Sequence, residues 1–253
     1  MTNPSVYIGI DPTAGIRPST FAVLNERLKI EKIGRASVEE LIAIAESHPS
    51  AVCGVDAPIG PGKGLLADPE YRRRLGLEPN RTNYSTLRVC EYELRRRKIA
   101  LYTTPKDPNQ APQWMKEGWR LYDGLRKAGF VEYPRSGERR MFETYPHAAF
   151  TVLVGKRPYS KSSIEGLLQR QLILFEEGID VPDPMPHLEE WTRHRIKTGQ
   201  IGRENILDHD SLDALMAAYT AFVVDKEPRS IVALGDTAEG QLVLPIEGLK
   251  DLY

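Results

Sequence analysis

The chain has 253 residues, of which 41% are hydrophobic and 27% carry a charged side chain, and its formal net charge is −1. This composition is typical of globular proteins, and a chain of this length can bury a sizeable core. A net charge near zero excludes a protein that holds nucleic acid by bulk positive charge alone. The mean hydropathy of −0.40 argues against a membrane protein, as does the lack of an apolar run approaching about 18 residues.

The start of the chain lacks the basic segment and long apolar core of a secretory signal, because the apolar run at residues 6–10 is too short. We therefore expect a cytoplasmic protein that makes no contact with a membrane. Cys53 and Cys90 lie in apolar patterns, and we expect two buried thiols there, with no disulfide or metal site.

Strand patterns dominate the beginning of the chain. Apolar runs predict strands at residues 6–10, 20–24, 28–33 and 51–55. The short polar connection at residues 25–27 is typical of a hairpin, so the first three strands are expected to form a meander. Ser37 and Glu40 have the spacing of a capping box and predict a helix that runs to about Ser47.

Helical patterns dominate the next part of the chain, between residues 57 and 139. Ser85 is the expected cap of one helix there, and a second helix is expected around residues 114–125. Beyond it we expect a short strand at 140–144, a helix opened by a capping box at 162–165, a long helix at 209–224, and late strands at 230–234 and 241–244. We predict a single α/β domain over residues 1–253, with a mostly helical insertion at about 57–139.

Acidic residues follow the ends of the predicted strands. Asp11 and Asp56 each come directly after an apolar strand and before a loop that contains proline or glycine. If these two strands are parallel neighbours, both acids emerge at the edge of the sheet where open α/β proteins bind ligands. Asp210 and Asp213 share one face of the late helix. Glu143 ends a further strand and is a fifth candidate.

Carboxylates that converge on one point repel each other, and removing them from water is costly. Such a cluster therefore predicts a bound cation, and ligation by oxygen alone favours Mg²⁺ or Mn²⁺. Two such ions activate a water molecule and stabilise the leaving oxygen in phosphodiester hydrolysis.

Each acid also has a structural interpretation, which the sequence leaves open. Asp11 and Asp56 have the pattern of Asx turns. Asp210 lies where a carboxylate favours the start of a helix. Glu143 has the pattern of a structural partner for an arginine such as Arg139 or Arg140. Asp213 lies among apolar residues, where an unpaired charge is costly, and is the hardest of these to explain structurally.

Five short motifs in chain order resemble the family known as domain of unknown function 429, whose members are regarded as nucleases with a ribonuclease-H-like fold. The motifs are Gly9-Ile10-Asp11, Val55-Asp56-Ala57-Pro58-Ile59-Gly60, Arg88-Val-Cys-Glu91, Glu143-Thr-Tyr-Pro-His-Ala148 and Asp210-Ser-Leu-Asp213. The resemblance implies a mixed five-stranded sheet with flanking helices. It also implies a meander of the first three strands, with the strands that end at Asp11 and Asp56 side by side.

The resemblance also assigns roles to individual residues. Asp11 is similar to the first-strand aspartate that bridges metal ions, and Asp56 to the acid on the fourth strand. Asp213, with Asp210 one turn before it, is similar to the acidic pair on the last helix of Holliday-junction resolvases. Resolvases often have the longer glutamate where this chain has Asp56.

These observations together predict a metal-dependent nuclease that uses a two-metal-ion mechanism with water as the nucleophile. Its ligands for Mg²⁺ or Mn²⁺ would be Asp11, Asp56 and Asp213, joined by Glu143 or Asp210. Arg88 and Lys63 are the expected contacts to substrate phosphate. The partner would be nucleic acid, and the sequence leaves open whether it is DNA or RNA.

Two other functions are compatible with the sequence. The glycine-containing loop at residues 9–15 also resembles the first phosphate loop of actin-like ATPases and sugar kinases, with a faint second loop at 235–240. The third possibility is a protein without enzymatic activity that only binds nucleic acid or another protein. Its contact surface would be residues 72–98, which contain nine basic and three acidic residues.

Overall fold

A mixed β-sheet lies at the centre of the molecule, in a computed structural model that describes residues 5–15, 17–77, 84–189, 191–200 and 202–253. The strands are β1 (Val6–Asp11), β2 (Ser19–Leu24), β3 (Ile30–Ala36), β4 (Ala51–Val55), β5 (Val131–Glu132), β6 (Arg139–Thr144), β7 (Val232–Leu234) and β8 (Leu242–Leu244). Their order is β3-β2-β1-β4-β6-β8-β7, and β5 pairs with β6 outside this path. The described residues thus form eight strands, whereas the family resemblance implied five; the local sequence patterns predicted all of them except β5.

Helices cover both faces of the sheet. They are α1 (Val38–Glu46), α2 (Pro69–Arg74), α3 (Val89–Arg96), α4 (Gln113–Lys127), α5 (Pro146–Val154), α6 (Ile164–Glu176), α7 (Met185–Glu189), α8 (Arg193–Thr198) and α9 (His209–Lys226), with single 3₁₀ turns at Leu65–Ala67 and Pro108–Gln110. In the part of the chain that the structure describes, no helix has the length and apolar character needed to cross a membrane.

The first three strands form the expected antiparallel meander. The turn between β2 and β3 is organised by Asn25, whose side chain accepts hydrogen bonds from the backbone N–H groups of Arg27 and Lys29. Leu28 belongs to this turn, with a φ of 57°. Strand β3 therefore begins at Ile30, two residues later than predicted, because the left-handed conformation of Leu28 is incompatible with an extended strand.

Parallel pairing places β4 beside β1 and β6 beside β4. Ile10 pairs with Val55, so the next residues, Asp11 and Asp56, are level with each other. Val55 in turn pairs with Glu143. Glu143 is therefore level with Val55 and Ile10, the residues that precede the two aspartates. A one-residue offset turns a side chain to the opposite face of a sheet.

The two faces of the sheet have different partners. Tyr7 belongs to the core on the side of α9, whereas Ile8 packs on the other side with residues of α1 and α4. Helix α9 contacts β1, β2 and β4 on one side and α5 and α6 on its other side. This position explains why α9 is buried around most of its circumference.

Two helices begin at residues other than those predicted. The N-cap of α3 is Arg88 and not Ser85, because the Glu91 carboxylate accepts a hydrogen bond from the backbone N–H of Arg88 at 3.1 Å. The N-cap of α6 is Ser163, whose side chain accepts from the backbone N–H of Gly166. The prediction for α6 was one residue early.

Candidate functional site

Two aspartates meet at the carboxyl ends of β1 and β4. Asp11 is the last residue of β1, and Asp56 follows β4 directly. The backbone N–H of Asp56 donates to the carbonyl oxygen of Ile10 at 2.9 Å, which extends the pairing of the two strands past β4. Because side chains alternate along a strand, both aspartates lie on the same face as Gly9 and Gly54, the face that α9 covers.

A third aspartate comes from α9, which lies unusually close to this face. A Cβ atom at Gly9 would be 1.9 Å from the carbonyl oxygen of Ala214, and one at Gly54 would be 2.6 Å from that of Ala217. Only glycine leaves room for the helix backbone here. At the far end of β1 the hydroxyl of Tyr7 donates to Asp225, so α9 runs antiparallel to β1 and brings its early residue Asp213 to the strand ends.

Burial raises the pKa of all three carboxylates, and the charges of neighbouring aspartates raise it further for Asp11 and Asp56. Burial, followed by the negative charges of Asp213 and Asp210, raises the pKa of Asp11 to about 7. Burial, followed by the charges of Asp11 and Asp213, holds the pKa of Asp56 well above its usual range. Burial also raises the pKa of Asp213, which is only 3% exposed. The cluster therefore has more negative charge than its surroundings stabilise.

Lys161 is the cation nearest to this cluster, and sequence reasoning missed it. Its ammonium group donates to Oδ2 of Asp213 at 3.0 Å. Lys161 lies between α5 and α6 in a turn of polar residues, where a lysine is ordinarily solvated, so no sequence signal singled it out. The other oxygen of Asp213, Oδ1, is buried and has no hydrogen-bond partner.

A cavity of about 190 Å³ opens onto the cluster, and its lining consists of Asp56, Ala100, Tyr145, His147, Lys161 and Asp213. Burial, and then the positive charges of Arg170, Arg157 and Lys161, lowers the pKa of His147 to about 4. The imidazole is therefore neutral near pH 7 and brings no positive charge to the cavity.

Asp210 is not among the residues that line this cavity. One of its carboxylate oxygens lies 2.8 Å from Nδ1 of His209 and the other 3.8 Å from Arg35. Its charge still raises the pKa of Asp11. Asp210 thus contributes to the field of the cluster without lining the cavity.

Glu143 is held by a buried arginine on the opposite face of the sheet. Arg88 donates to both carboxylate oxygens of Glu143, at 2.8 and 2.5 Å, and through Nε to Glu91 at 3.1 Å. Glu143 also accepts from the backbone N–H of Ile59 and from the hydroxyl of Tyr102.

Glu143 is thus the partner of an arginine, but that arginine is Arg88 and neither of the two that the sequence suggested. Arg139 donates to backbone carbonyl groups, and Arg140 pairs with Asp225. The carboxylate of Glu143 does not line the cavity, although its charge contributes to the raised pKa of Asp56.

Arg88 and Lys63, the two residues expected to contact substrate phosphate, do not line the cavity. The side chain of Arg88 is fully buried, so it presents no surface to a ligand here. Lys63 is exposed, and its positive charge lies near Asp236. Its backbone N–H donates to the buried carboxylate of Glu239, which belongs to the glycine-containing loop at 235–240. That carboxylate is occupied by the chain's own backbone.

The basic stretch at residues 72–98 is mostly paired with the chain itself. Arg73 pairs with Glu70, and Glu93 pairs with both Arg96 and Arg97. Arg95 donates to the carbonyl oxygen of Leu101. Arg81 and Glu78, which the sequence count included, lie outside the described residues.

The acidic cluster suits a hard divalent cation in its chemistry but not in its present arrangement. Carboxylate oxygens are the donors that Mg²⁺ and Mn²⁺ prefer, and the unpartnered Oδ1 of Asp213 is free to accept one. Within the ranges that the structure describes, however, no three His, Cys, Asp or Glu side chains are grouped so that they could hold a metal ion. Lys161, in contact with Asp213, supplies the nearby positive charge instead.

Comparison with known proteins gives one match. The model of a family described as a protein of unknown function (DUF429) matches residues 9–236, which include all of the aspartates discussed above. No curated protein and no solved structure matches the chain.

Proposed function

We propose that this chain, which belongs to the family described as protein of unknown function (DUF429), is a metal-dependent nuclease. One observation carries the proposal. Asp11, Asp56 and Asp213 come from three separate parts of the fold, and they lie close enough for the charge of Asp213 to raise the pKa of both Asp11 and Asp56. A buried group of carboxylates with a single adjacent lysine is costly unless a further cation joins it.

The order of the strands supports a ribonuclease-H-like fold within this proposal. An antiparallel meander of β1, β2 and β3 is followed by parallel β4 and β6 on the other side of β1. This is the arrangement that the sequence resemblance implies, extended by β5, β7 and β8. The aspartates lie at the carboxyl ends of β1 and β4, where such sheets bind ligands.

In the proposed reaction Asp11, Asp56 and Asp213 would hold Mg²⁺ or Mn²⁺. The bound cations would supply activation of the water nucleophile and stabilisation of the charge on the leaving oxygen. Glu143 keeps the loop after Asp56 in place, because its carboxylate accepts from the backbone N–H of Ile59. We do not assign Glu143 or Arg88 a contact with the substrate.

A cleavage panel tests the proposal. Single-stranded, duplex and branched DNA and RNA are incubated with Mg²⁺ or Mn²⁺ and the purified protein. We expect cleavage of at least one substrate, its loss with EDTA, and a reduction of about a hundredfold or more in Asp11→Asn, since a metal ligand is removed. Asp123→Asn is the matched control, because Asp123 is an exposed aspartate on α4.

The panel can also contradict the proposal. Cleavage that Asp11→Asn retains at the level of Asp123→Asn would assign the activity to another site or to a contaminant. No cleavage of any substrate, combined with nucleic-acid binding that weakens steeply with salt, would favour the non-catalytic alternative.

A further inference from the structure

Lys161 lies in the candidate site without a role in the reaction proposed above. Its ammonium group pairs with Asp213 at 3.0 Å, and the two partners differ greatly in exposure: the side chain of Lys161 is 51% exposed and that of Asp213 is 4% exposed. The lysine thus reaches from the protein surface into the acidic cluster. Its ammonium group can move away from Asp213 without disturbing the core.

The charge of Lys161 acts on the whole cluster. It lowers the pKa of Asp11, Asp56 and Asp213, in opposition to their burial and, for Asp11 and Asp56, to the charges of neighbouring aspartates. Burial disfavours the charge on Lys161 itself, but attraction to the three aspartates outweighs that effect and raises its pKa. The lysine is therefore a counter-ion for all three carboxylates, although it contacts only one of them.

This contact occupies one of the oxygens that a metal ion in the acidic cluster would need. One oxygen of Asp213 is taken by Lys161, while the other is buried with no partner. A divalent cation among the aspartates would bring two positive charges, whereas Lys161 brings one. The cation would also repel the ammonium group at close range. The lysine and the cation compete for Asp213.

We propose that Lys161 is the resident counter-ion of the metal-free site and that a divalent cation displaces it from Asp213 towards the phosphate of a bound nucleic acid. The inference rests on the proposed function. Lys161 lines the same cavity as Asp56 and Asp213, so its ammonium group stays in the cleft after displacement. A lysine acts there as a mobile point charge for a phosphate oxygen.

Two measurements on Lys161→Gln test this exchange. The first is calorimetric titration of the metal-stripped protein with Mn²⁺. We expect Lys161→Gln to bind Mn²⁺ about five- to tenfold more tightly than the wild type, because a competing positive charge is gone. Lys161→Arg keeps that charge and is expected to bind Mn²⁺ like the wild type, as is the control Lys127→Gln, whose side chain is exposed on α4.

The second measurement is the affinity for a fluorescein-labelled DNA duplex and a single-stranded RNA, with Ca²⁺ present. We expect the affinity for nucleic acid to change in the direction opposite to that for Mn²⁺. Lys161→Gln should bind the DNA or RNA about three- to tenfold more weakly than the wild type, because a phosphate contact is lost. A structural defect would weaken both kinds of binding, so the opposite signs distinguish the two explanations. Lys161→Met, with a side chain of similar length, replaces Lys161→Gln if the latter does not fold.

The outcomes separate the inference from the proposed function. Mn²⁺ that binds the wild type and Lys161→Gln equally, or binds the variant more weakly, overturns the role of Lys161 and leaves the metal site standing. No Mn²⁺ binding by any of the proteins overturns both. Tighter Mn²⁺ binding with unchanged affinity for nucleic acid overturns the phosphate contact alone.

Discussion

At the scale of single residues, the fold uses its buried acids in two different ways. Glu143 accepts hydrogen bonds from both terminal nitrogens of the Arg88 guanidinium group, so its negative charge is neutralised within the protein. Asp11, Asp56 and Asp213 share one lysine, and an oxygen of Asp213 has no partner. Carboxylates of the first kind stabilise a fold only while their partner is present, whereas those of the second kind weaken it until a ligand arrives.

Asp11 is therefore expected to make the metal-free protein less stable as the pH rises. With its pKa raised to about 7, folded Asp11 keeps a proton that the unfolded chain loses near pH 4. The folded state then binds more protons between about pH 4 and pH 7, so the free energy of unfolding falls across this range.

Asp11→Asn removes this pH dependence. In EDTA, the free energy of unfolding of the variant relative to that of the wild type should rise by on the order of 1 to 4 kcal/mol as the pH rises from about 4 to about 7.5. The range follows from about 1.4 kcal/mol per pKa unit. Urea denaturation at the two pH values measures the gain. The exposed Asp123→Asn should show none, and a gain equal to that of Asp123→Asn would mean that Asp11 is not electrostatically strained.

Glu143→Gln is expected to have the opposite effect on stability. The substitution leaves the fully buried guanidinium of Arg88 without its main charge partner, and breaking a buried pair in this way costs about 3 to 5 kcal/mol. Urea denaturation near pH 7 measures the loss. Glu70→Gln, which removes an exposed pair with Arg73, should cost less than about 1 kcal/mol, and a similar loss in both variants would contradict the structural role of Glu143.

At the scale of elements, the site depends on how closely α9 approaches the sheet. Gly9 and Gly54 are paired neighbours on β1 and β4, and together they form a shallow groove for the helix backbone at Ala214 and Ala217. Asp213 is the residue before Ala214. The two glycines therefore determine how near this carboxylate comes to the strand ends.

Gly9→Ala should push α9 away from the sheet. Its Cβ atom would lie 1.9 Å from a backbone oxygen that has no rotamer to change, so we expect a loss of at least about 3 kcal/mol and weaker Mn²⁺ binding. Calorimetric melting and Mn²⁺ titration measure the two effects. Gly248→Ala is the control, because nothing lies within 4 Å of its added Cβ, and an equally mild effect of Gly9→Ala would show that α9 can shift at little cost.

At the scale of the whole molecule, the charge is nearly balanced and the basic residues are largely paired within the chain. The nine basic residues of residues 72–98 include several that bind the protein's own carboxylates or carbonyl groups. Recognition of nucleic acid under the proposed function therefore depends on the cavity and a bound cation more than on a broad positive surface.

A cation that binds only the folded state should stabilise the entire chain. Mn²⁺ at about 100 times its dissociation constant contributes about 2.7 kcal/mol, which raises Tm by about 5 to 10 °C for a chain of this size. Thermal melting with and without Mn²⁺ measures the shift. Asp213→Asn should lose most of it and Asp123→Asn should keep it, so an equal shift in both variants would place Mn²⁺ outside the acidic cluster.

The sequence by itself determined the local structure and the list of acids. Short apolar runs predicted the meander and β4, and the loop residues that follow marked Asp11 and Asp56 as residues at strand ends. These signals act within a few residues, because hydrogen bonding and side-chain alternation repeat over short distances along the chain. The resemblance implied too few strands, whereas the local patterns had already marked residues 230–234 and 241–244, where β7 and β8 lie. Only β5 was missed, because a strand of two residues has no pattern of its own and is recognised from its pairing with β6.

Only the tertiary structure decided which acids meet. Asp11 and Asp56 lie level with each other because Ile10 of β1 pairs with Val55 of β4. Glu143 is level with Val55 instead, so its side chain lies on the other face of the sheet, where it pairs with Arg88. Lys161 approaches Asp213 across 52 positions of sequence. The physical reason is that a register shift of one residue reverses the face of every side chain in a strand, and no local pattern records that register.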